Sequence, residues 1–315
     1  MTDAPTWGLS ATILAPFADT LRFAAFHLEA GAHRLYIYLD QHDSVAFDAL
    51  KSHPKCRVTT CDTAYWNNHQ HGRPKKHQVR QTMNATHAYA RRAEVDWLIH
   101  MDVDEFLVSD RPIGETLAVL PHDALAARVR PMELLSGGTS AFKLFIPPGP
   151  GRAQTVRDLY PTFGAHTQGG FLSHLAGKVF ARTALDDVRI QIHNAFQAQK
   201  AIDTVDLPQD TIALAHCHAG TWDAWLAAYR YRLAHGSYRA ELAPNRARDK
   251  GGLTLHEVFQ TLETKDGEAG LRAFFDEVCA DTPRLRRRLD DKNLLRMANL
   301  DLDDALSTHF PHVTL

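Results

Sequence analysis

The sequence has little cysteine and no pair of cysteines at metal-binding spacing. Its four cysteines are Cys56, Cys61, Cys217 and Cys279, and none of them forms a C-x-x-C pair. Structural zinc sites and disulfide frameworks need closely spaced or paired cysteines, so neither is expected here. We expect reduced thiols, as in proteins of the cytoplasm.

Charge of one sign and long apolar runs are also lacking. The 35 basic and 37 acidic residues leave a net charge of −2, which argues against a dedicated nucleic-acid-binding protein. Residues 73–76 and 284–288 are local basic clusters, which fit a solvated surface better than a phosphate or membrane contact. No apolar run approaches the roughly 20 residues that span a bilayer. Residues 1–5 lack the basic start of a secretory signal, so we expect a cytoplasmic protein, with peripheral contact to the inner face of the membrane left open.

Strand-like and helix-like segments alternate along the first hundred residues. With 315 residues and 44% hydrophobic content, the chain can build a large core. The alternation predicts an α/β fold with a mostly parallel sheet between helices, whose ligands lie beyond the carboxyl ends of the strands. The predicted strands are 9–14, 34–40, 57–60 and the one that begins at Trp97, and the predicted helices are 19–31, 45–50 and 78–93.

The pattern is less regular in the middle of the chain and becomes helical towards its end. We predict strands at 126–132, 141–146, 177–181, 188–192 and 211–216, and a loop at 147–151. From Thr221 onward the pattern is helical, including segments 271–278 and 285–297. Trp222, Trp225 and Tyr229 recur at helical spacing, which is typical of a buried stripe. We therefore predict a catalytic domain over 1–220 and a helical extension over 221–315.

The run Trp97–Leu107 places carboxylates directly after a buried strand. Apolar residues precede Asp102, Asp104 and Glu105, and apolar residues follow them. Buried carboxylates without partners cost several kcal/mol, roughly, so they need a cation. Asp102 and Asp104 share one side if the strand continues, and paired oxygen ligands suit Mg²⁺ or Mn²⁺. His100 fits a packed supporting residue better than a ligand.

These segments together resemble glycosyltransferases of the GT-A fold. The similarity is greatest to the family-2-like group whose metal motif reads D-x-D-E-F, here residues 102–106. It covers roughly the first 240 residues. One departure is Ala15-Pro16-Phe17, where relatives often carry Lys-Asn-Glu, and Phe17 is then a candidate for stacking on the base. The matching positions are His27, Gly31, 36–40, Lys76, Gln78, Asn84, 97–106, 177–182, His193 and 216–218.

The resemblance implies a metal-dependent transferase that moves a sugar from a UDP- or GDP-linked donor to a hydroxyl on a glycan or similar acceptor, with inversion. A divalent ion, Mn²⁺ or Mg²⁺, would offset the charge that develops on the diphosphate. The implied metal ligands are Asp102, Asp104 and His218. The implied nucleotide contacts are Asp40, Lys76, Gln78, Asp102, Lys178 and His193. The catalytic candidates are Asp104, Glu105 and Glu133, the two glutamates as general bases; Glu105 could equally orient the loop.

Two other functions stay open from the sequence. A nucleotidyltransferase would share the paired carboxylates, although residues 11–19 lack the Gly-rich phosphate loop that such enzymes usually carry. A non-catalytic binding module on a degenerate transferase fold is the second alternative, since the Lys-Asn-Glu motif is missing. A test of metal-dependent binding of a sugar nucleotide would distinguish the glycosyltransferase from these two alternatives.

Overall fold

A computed structural model describes residues 4–91, 94–167, 169–235, 244 and 248–314. The strands in chain order are β1 (Trp7–Ile13), β2 (Arg34–Leu39), β3 (Cys56–Thr60), β4 (Trp97–His100), β5 (Glu105–Ser109), β6 (Ala126–Val129), β7 (Pro131–Leu134), β8 (Ala141–Leu144), β9 (Lys178–Arg182), β10 (Val188–Ile190), β11 (Ala195–Gln197), β12 (Lys200–Ala201), β13 (Val205–Asp206), β14 (Ile212–His216) and β15 (Leu295–Met297).

The helices are α1 (Phe17–Glu29), α2 (Ser44–Ser52), α3 (Thr63–Asn67), α4 (His77–Ala90), α5 (Ile113–Ala118), α6 (Arg152–Leu159), α7 (Trp222–His235), α8 (Leu255–Val278), α9 (Pro283–Asp290) and α10 (Leu302–His309). Two short 3₁₀ helices cover Gly164–His166 and Arg248–Lys250. Within the residues that the structure describes, no helix has the length and apolar character needed to cross a membrane.

The chain forms two compact units. Unit 1 comprises Met1–Arg130, Ala176–Leu214 and Leu300–Leu315, and unit 2 comprises Pro131–Leu175 and Ala215–Asn299. This division is into compact units and does not test the predicted boundary at residue 220 between a catalytic domain and a helical extension. That boundary stays a prediction.

Unit 1 is built on a mixed sheet of seven strands in the order β13-β6-β9-β4-β1-β2-β3. The pairs β1–β2, β1–β4, β2–β3 and β13–β6 are parallel, while β9 runs antiparallel to both β4 and β6. Strand β1 is buried along its whole length, as expected of a central strand covered on both faces. Helix α4 packs on β1, and α10 packs on α1. The predicted α/β class is confirmed.

Unit 2 joins a small antiparallel sheet to the helices of the C-terminal region. Strand β8 pairs with β7 on one side and with β15 on the other. Trp225 and Tyr229 are buried in an aromatic core with Phe259 and Phe274, which confirms the predicted stripe. A capping box at Thr254 begins α8. The predicted helical C-terminal region is confirmed.

Two sequence predictions of secondary structure are wrong. The helix predicted over 285–297 ends at Asp290, because Asn293 adopts a left-handed conformation and the following residues pair with β8 as strand β15. The strand predicted over 126–132 is two strands. The break comes before Pro131, whose missing N–H cannot continue the ladder of the first strand.

Candidate functional site

Unit 1 has a cavity of about 420 Å³ at the carboxyl ends of β1 and β2. Both strands run parallel, so their ends open at the same edge of the sheet, where ligands of such sheets bind. Leu14, 60% exposed, offers an apolar wall, and Ser44 lies at the start of α2. The volume is in the range of small-molecule sites. Its lining residues are Ile13, Leu14, Ala15, Thr20, Leu39, Gln41, His42, Asp43, Ser44 and Ala46.

Asp40, at the end of β2, is fully buried and held by cations. Arg80 forms a two-pronged contact, with Nε 2.9 Å from Oδ1 and Nη2 2.6 Å from Oδ2. Arg73, which is half exposed, donates to the same carboxylate at 3.1 Å and to the main-chain oxygen of Asp40 at 2.9 Å. Burial raises the pKa of Asp40, but hydrogen bonds from His77 and Arg80 outweigh it and lower that pKa to about 2. The predicted nucleotide contact from Asp40 therefore competes with bonds that its carboxylate already makes.

The carboxylates after β4 surround a buried ammonium group. Lys178, at the start of β9, lies 2.7 Å from Asp102 Oδ2 and 3.1 Å from Glu105 Oε2, and its side chain is fully buried. The Asp102 amide donates to Glu105 Oε2 at 2.8 Å, and Gln81 of α4 donates to Asp102 Oδ1. Burial lowers the pKa of Lys178, but the two carboxylates outweigh it and raise that pKa, so the ammonium stays charged. Lys178 thus binds protein carboxylates, where the sequence analysis expected a phosphate contact.

Two histidines lie within electrostatic range of this ammonium. His100 is buried, and burial together with Lys178 lowers its pKa to about 3. His193 is half-buried, its Nδ1 is 3.1 Å from Gly177 O, and burial together with Lys178 lowers its pKa to about 4. Both imidazoles are therefore neutral at pH 7. His100 is a buried residue at the end of β4, and its expected supporting role stays a prediction.

The remaining unit 1 candidates lie at its surface or in the turn after β4. Lys76 and Gln78 are exposed at the start of α4, and Asp104 is half-buried between β4 and β5. Their predicted roles stay predictions. Glu105 is fully buried, and its contacts favour the loop-orienting role over the role of a base.

Glu133 lies in unit 2, where it forms a buried ion pair. Its Oε1 is 2.9 Å from Lys143 Nζ, and its Oε2 accepts from the Ser173 amide at 3.0 Å and the Ser173 hydroxyl at 2.8 Å. Burial raises the pKa of Glu133, but Lys143 and His218 outweigh it and lower that pKa to about 2. Such a carboxylate is a weak base at pH 7, because its proton affinity is far below that of a group poised to accept a proton. These contacts favour a supporting role for the loop at 172–173, and the role of general base stays a prediction.

The end of β14 presents two histidines within unit 2. The rings of His216 and His218 are 5.1 Å apart, and the His174 ring is 6.4 Å from that of His216. A donor nitrogen of His216 lies within 4.8 Å of one of His218. Two imidazoles at this spacing can bind a common divalent ion. Arg232 of α7 also donates to His218, with Nη2 3.1 Å from Nδ1.

Sequence reasoning missed Arg80 and Gln81, the two α4 residues that hold the strand ends. A signal was present: Gln81, Asn84, Ala85 and Ala88 recur at helical spacing, and all four are buried. The resemblance indicated Lys76, Gln78 and Asn84 in this region, and of these Asn84 is buried while Gln78 is exposed. Asp102, Glu105 and Lys178 are brought together as one group, while Asp104 and His218 belong to different units.

Comparisons with known proteins assign no family. No family model matches the chain, and no curated protein matches it. Among solved structures, HddC from Yersinia pseudotuberculosis is similar over 72% of this chain and 99% of its own, with 10% sequence identity and a TM-score of 0.36. A similarity this low supports no inference about function.

Proposed function

We propose that this protein is a metal-dependent glycosyltransferase of the GT-A type, which moves a sugar from a nucleotide donor to a hydroxyl acceptor with inversion. One observation carries the proposal. The acidic turn after β4 is held in place by Lys178 at the edge of the sheet where the cavity of β1 and β2 also opens. A diphosphate next to a nucleoside pocket needs such a combination.

The cavity would take the nucleoside of a UDP- or GDP-linked donor. Leu14 provides an apolar surface for a base, and the polar groups at the start of α2 suit ribose hydroxyls. Arg73 adds positive charge at the end of β2, because only part of its guanidinium is used by Asp40. This assignment replaces the direct contact expected from the Asp40 carboxylate.

We propose that Asp104 of the acidic turn is a ligand of the ion, Mn²⁺ or Mg²⁺. Within unit 2, the spacing of the His216 and His218 rings also suits a divalent ion, and His218 stays a predicted ligand. Both oxygens of Asp102 accept from Gln81 and Lys178, so we assign Asp102 the role of orienting the turn and Asp104 the role of ligand. A bound divalent ion would offset the charge that grows on the leaving diphosphate.

The pairing of Lys178 with Asp102 and Glu105 reduces the repulsion that the leaving diphosphate would meet. Lys178 offsets one of the two negative charges of Asp102 and Glu105, so this group repels an incoming diphosphate less than it would without the lysine. Inversion by direct displacement also needs a base for the acceptor hydroxyl. Because Glu133 is held in a buried ion pair and Glu105 in buried contacts, we assign neither residue as this base. We place the base among the groups that contact the acceptor.

The test is a calorimetric titration with UDP, GDP and their common sugar conjugates, first with Mn²⁺ and then with EDTA. We expect one nucleotide to bind in a metal-dependent manner, and Asp104→Asn to abolish turnover while the protein stays folded. Asp48→Asn, an exposed carboxylate on α2, is the matched control.

Three results contradict the proposal in different ways. Full activity in Asp104→Asn would remove the metal assignment. Turnover of a nucleoside triphosphate, with no turnover of sugar nucleotides, would favour a nucleotidyltransferase. Absence of binding to every nucleotide in the presence of Mn²⁺ would favour the non-catalytic binding module.

A further inference from the structure

Two consecutive residues of α4 contact the ends of two different strands. Arg80 binds Asp40 at the end of β2, and Gln81 binds Asp102 just after β4. These strands lie on opposite sides of β1 in the sheet. Both side chains are buried, 9% and 5% exposed; Asp40 is also buried, whereas the Asp102 side chain is 29% exposed. Two neighbouring residues of one helix therefore contact the strand ends on both sides of β1, at the edge where the proposed site lies.

Gln81 supplies a hydrogen bond to one oxygen of the Asp102 carboxylate, and Lys178 binds the other. Gln81 Nε2 donates to Oδ1, and Lys178 Nζ donates to Oδ2 at 2.7 Å. The amide of Asp102 donates to Glu105 at 2.8 Å. Two donors hold the carboxylate and Glu105 holds the main-chain amide, so both the side chain and the backbone of Asp102 are fixed in the turn. The position of the next acidic residue, Asp104, follows from the orientation of this turn.

Helix α4 is itself fixed to the sheet one turn further on. Asn84 Nδ2 donates to Thr12 Oγ1 of β1 at 2.9 Å, and its Oδ1 accepts from the Tyr65 hydroxyl at 2.7 Å. Asn84 is completely buried, so these bonds hold the helix in register with β1. A donor on such a helix is fixed in place before any ligand arrives, which is the requirement for a precise metal site.

We infer that Gln81 is a positioning residue of the metal motif: it acts through Asp102 to hold Asp104 where the divalent ion binds. The inference rests on the proposed function. It assigns Gln81 no contact with substrate or metal. Its effect is to lower the cost of ordering the turn when the ion binds, and that cost appears in the affinity for the ion.

The experiment measures binding of Mn²⁺ alone by calorimetry. Gln81→Met keeps the length of the side chain and removes the donor, and Gln81→Glu keeps its shape. A hydrogen bond to a charged group corresponds to roughly ten- to a hundredfold in an equilibrium constant, so we expect the Mn²⁺ dissociation constant to rise in that range. Gln260→Met, an exposed glutamine on α8, is the control and leaves it unchanged.

A double variant tests whether Gln81 acts through Asp102. If it does, Gln81→Met combined with Asp102→Asn weakens Mn²⁺ binding less than the product of the two separate effects. Raising the Mn²⁺ concentration should then restore turnover to Gln81→Met, which a folding defect would not allow. Unchanged Mn²⁺ affinity in a folded Gln81→Met or Gln81→Glu protein, or strictly multiplicative effects in the double variant, overturns the inference. Wild-type protein that binds no Mn²⁺ overturns the proposed function itself, and the inference with it.

Discussion

We predict that Glu133→Gln destabilises the protein, because it breaks the ion pair between Glu133 and Lys143. Both side chains are buried, and the ammonium also donates to Gly170 O at 2.7 Å and Val278 O at 2.8 Å. Replacing the carboxylate by an amide leaves a buried cation without its counter-charge. Such a loss costs about 3–5 kcal/mol of unfolding free energy.

The pKa of Glu133 gives an independent magnitude. Its fall from 4.5 to about 2 corresponds to about 3 kcal/mol of stabilisation of the folded state. Because the folded-state pKa is lowered, this stabilisation is present above pH 4.5 and is lost as the pH falls towards 2. The stability difference between wild type and Glu133→Gln should therefore be constant from pH 5 to 8 and shrink below pH 4.5.

Urea unfolding, followed by tryptophan fluorescence at several pH values, measures this difference. The double variant Glu133→Gln/Lys143→Met removes both charges and should be less destabilised than the two single variants added together. The result that would refute the reasoning is a Glu133→Gln protein as stable as wild type, with kcat reduced by orders of magnitude. That result would support Glu133 as the general base.

Two further predictions concern unit 1. Arg80→Leu removes the main partner of Asp40, whose pKa in the folded wild type is lowered from 3.8 to about 2. The variant should therefore lose about 2 kcal/mol of unfolding free energy above pH 4, and its difference from wild type should shrink between pH 4 and 2. Urea titrations measure this difference, and a difference independent of pH would contradict the ion pair. Gly177→Ala should lower stability by about 3 kcal/mol or more, since its φ is +67° and an added Cβ would lie 2.0 Å from Val129 O. Gly31→Ala, with φ +90° and no described atom within 4 Å of an added Cβ, should cost only about 1–2 kcal/mol, and equal melting temperatures for the two variants would refute the steric argument.

The acidic turn after β4 shows how much of the site could be predicted from the sequence. An apolar run followed by carboxylates is a local pattern, and it correctly indicated a buried strand β4 that is followed by an acidic turn with Asp102. The same pattern could not show which cation holds them. Lys178 lies 76 positions from Asp102, and only the antiparallel pairing of β9 with β4 brings the two together.

The wrong helix prediction and the open question about Glu133 have the same origin. The segment 285–297 has helical composition, but pairing with the distant strand β8 decides that its last residues are extended. Glu133 is a polar residue on a strand, and the sequence cannot tell a base from a structural carboxylate, because the ion pair with Lys143 depends on how β7 meets β8. Periodicity and strand-end chemistry are properties of neighbouring residues, so the sequence by itself determined the α/β class and the acidic turn. Partners, burial and the resulting pKa values depend on groups far apart in the chain, so only the tertiary structure decided which polar side chains hold the site and which are available for chemistry.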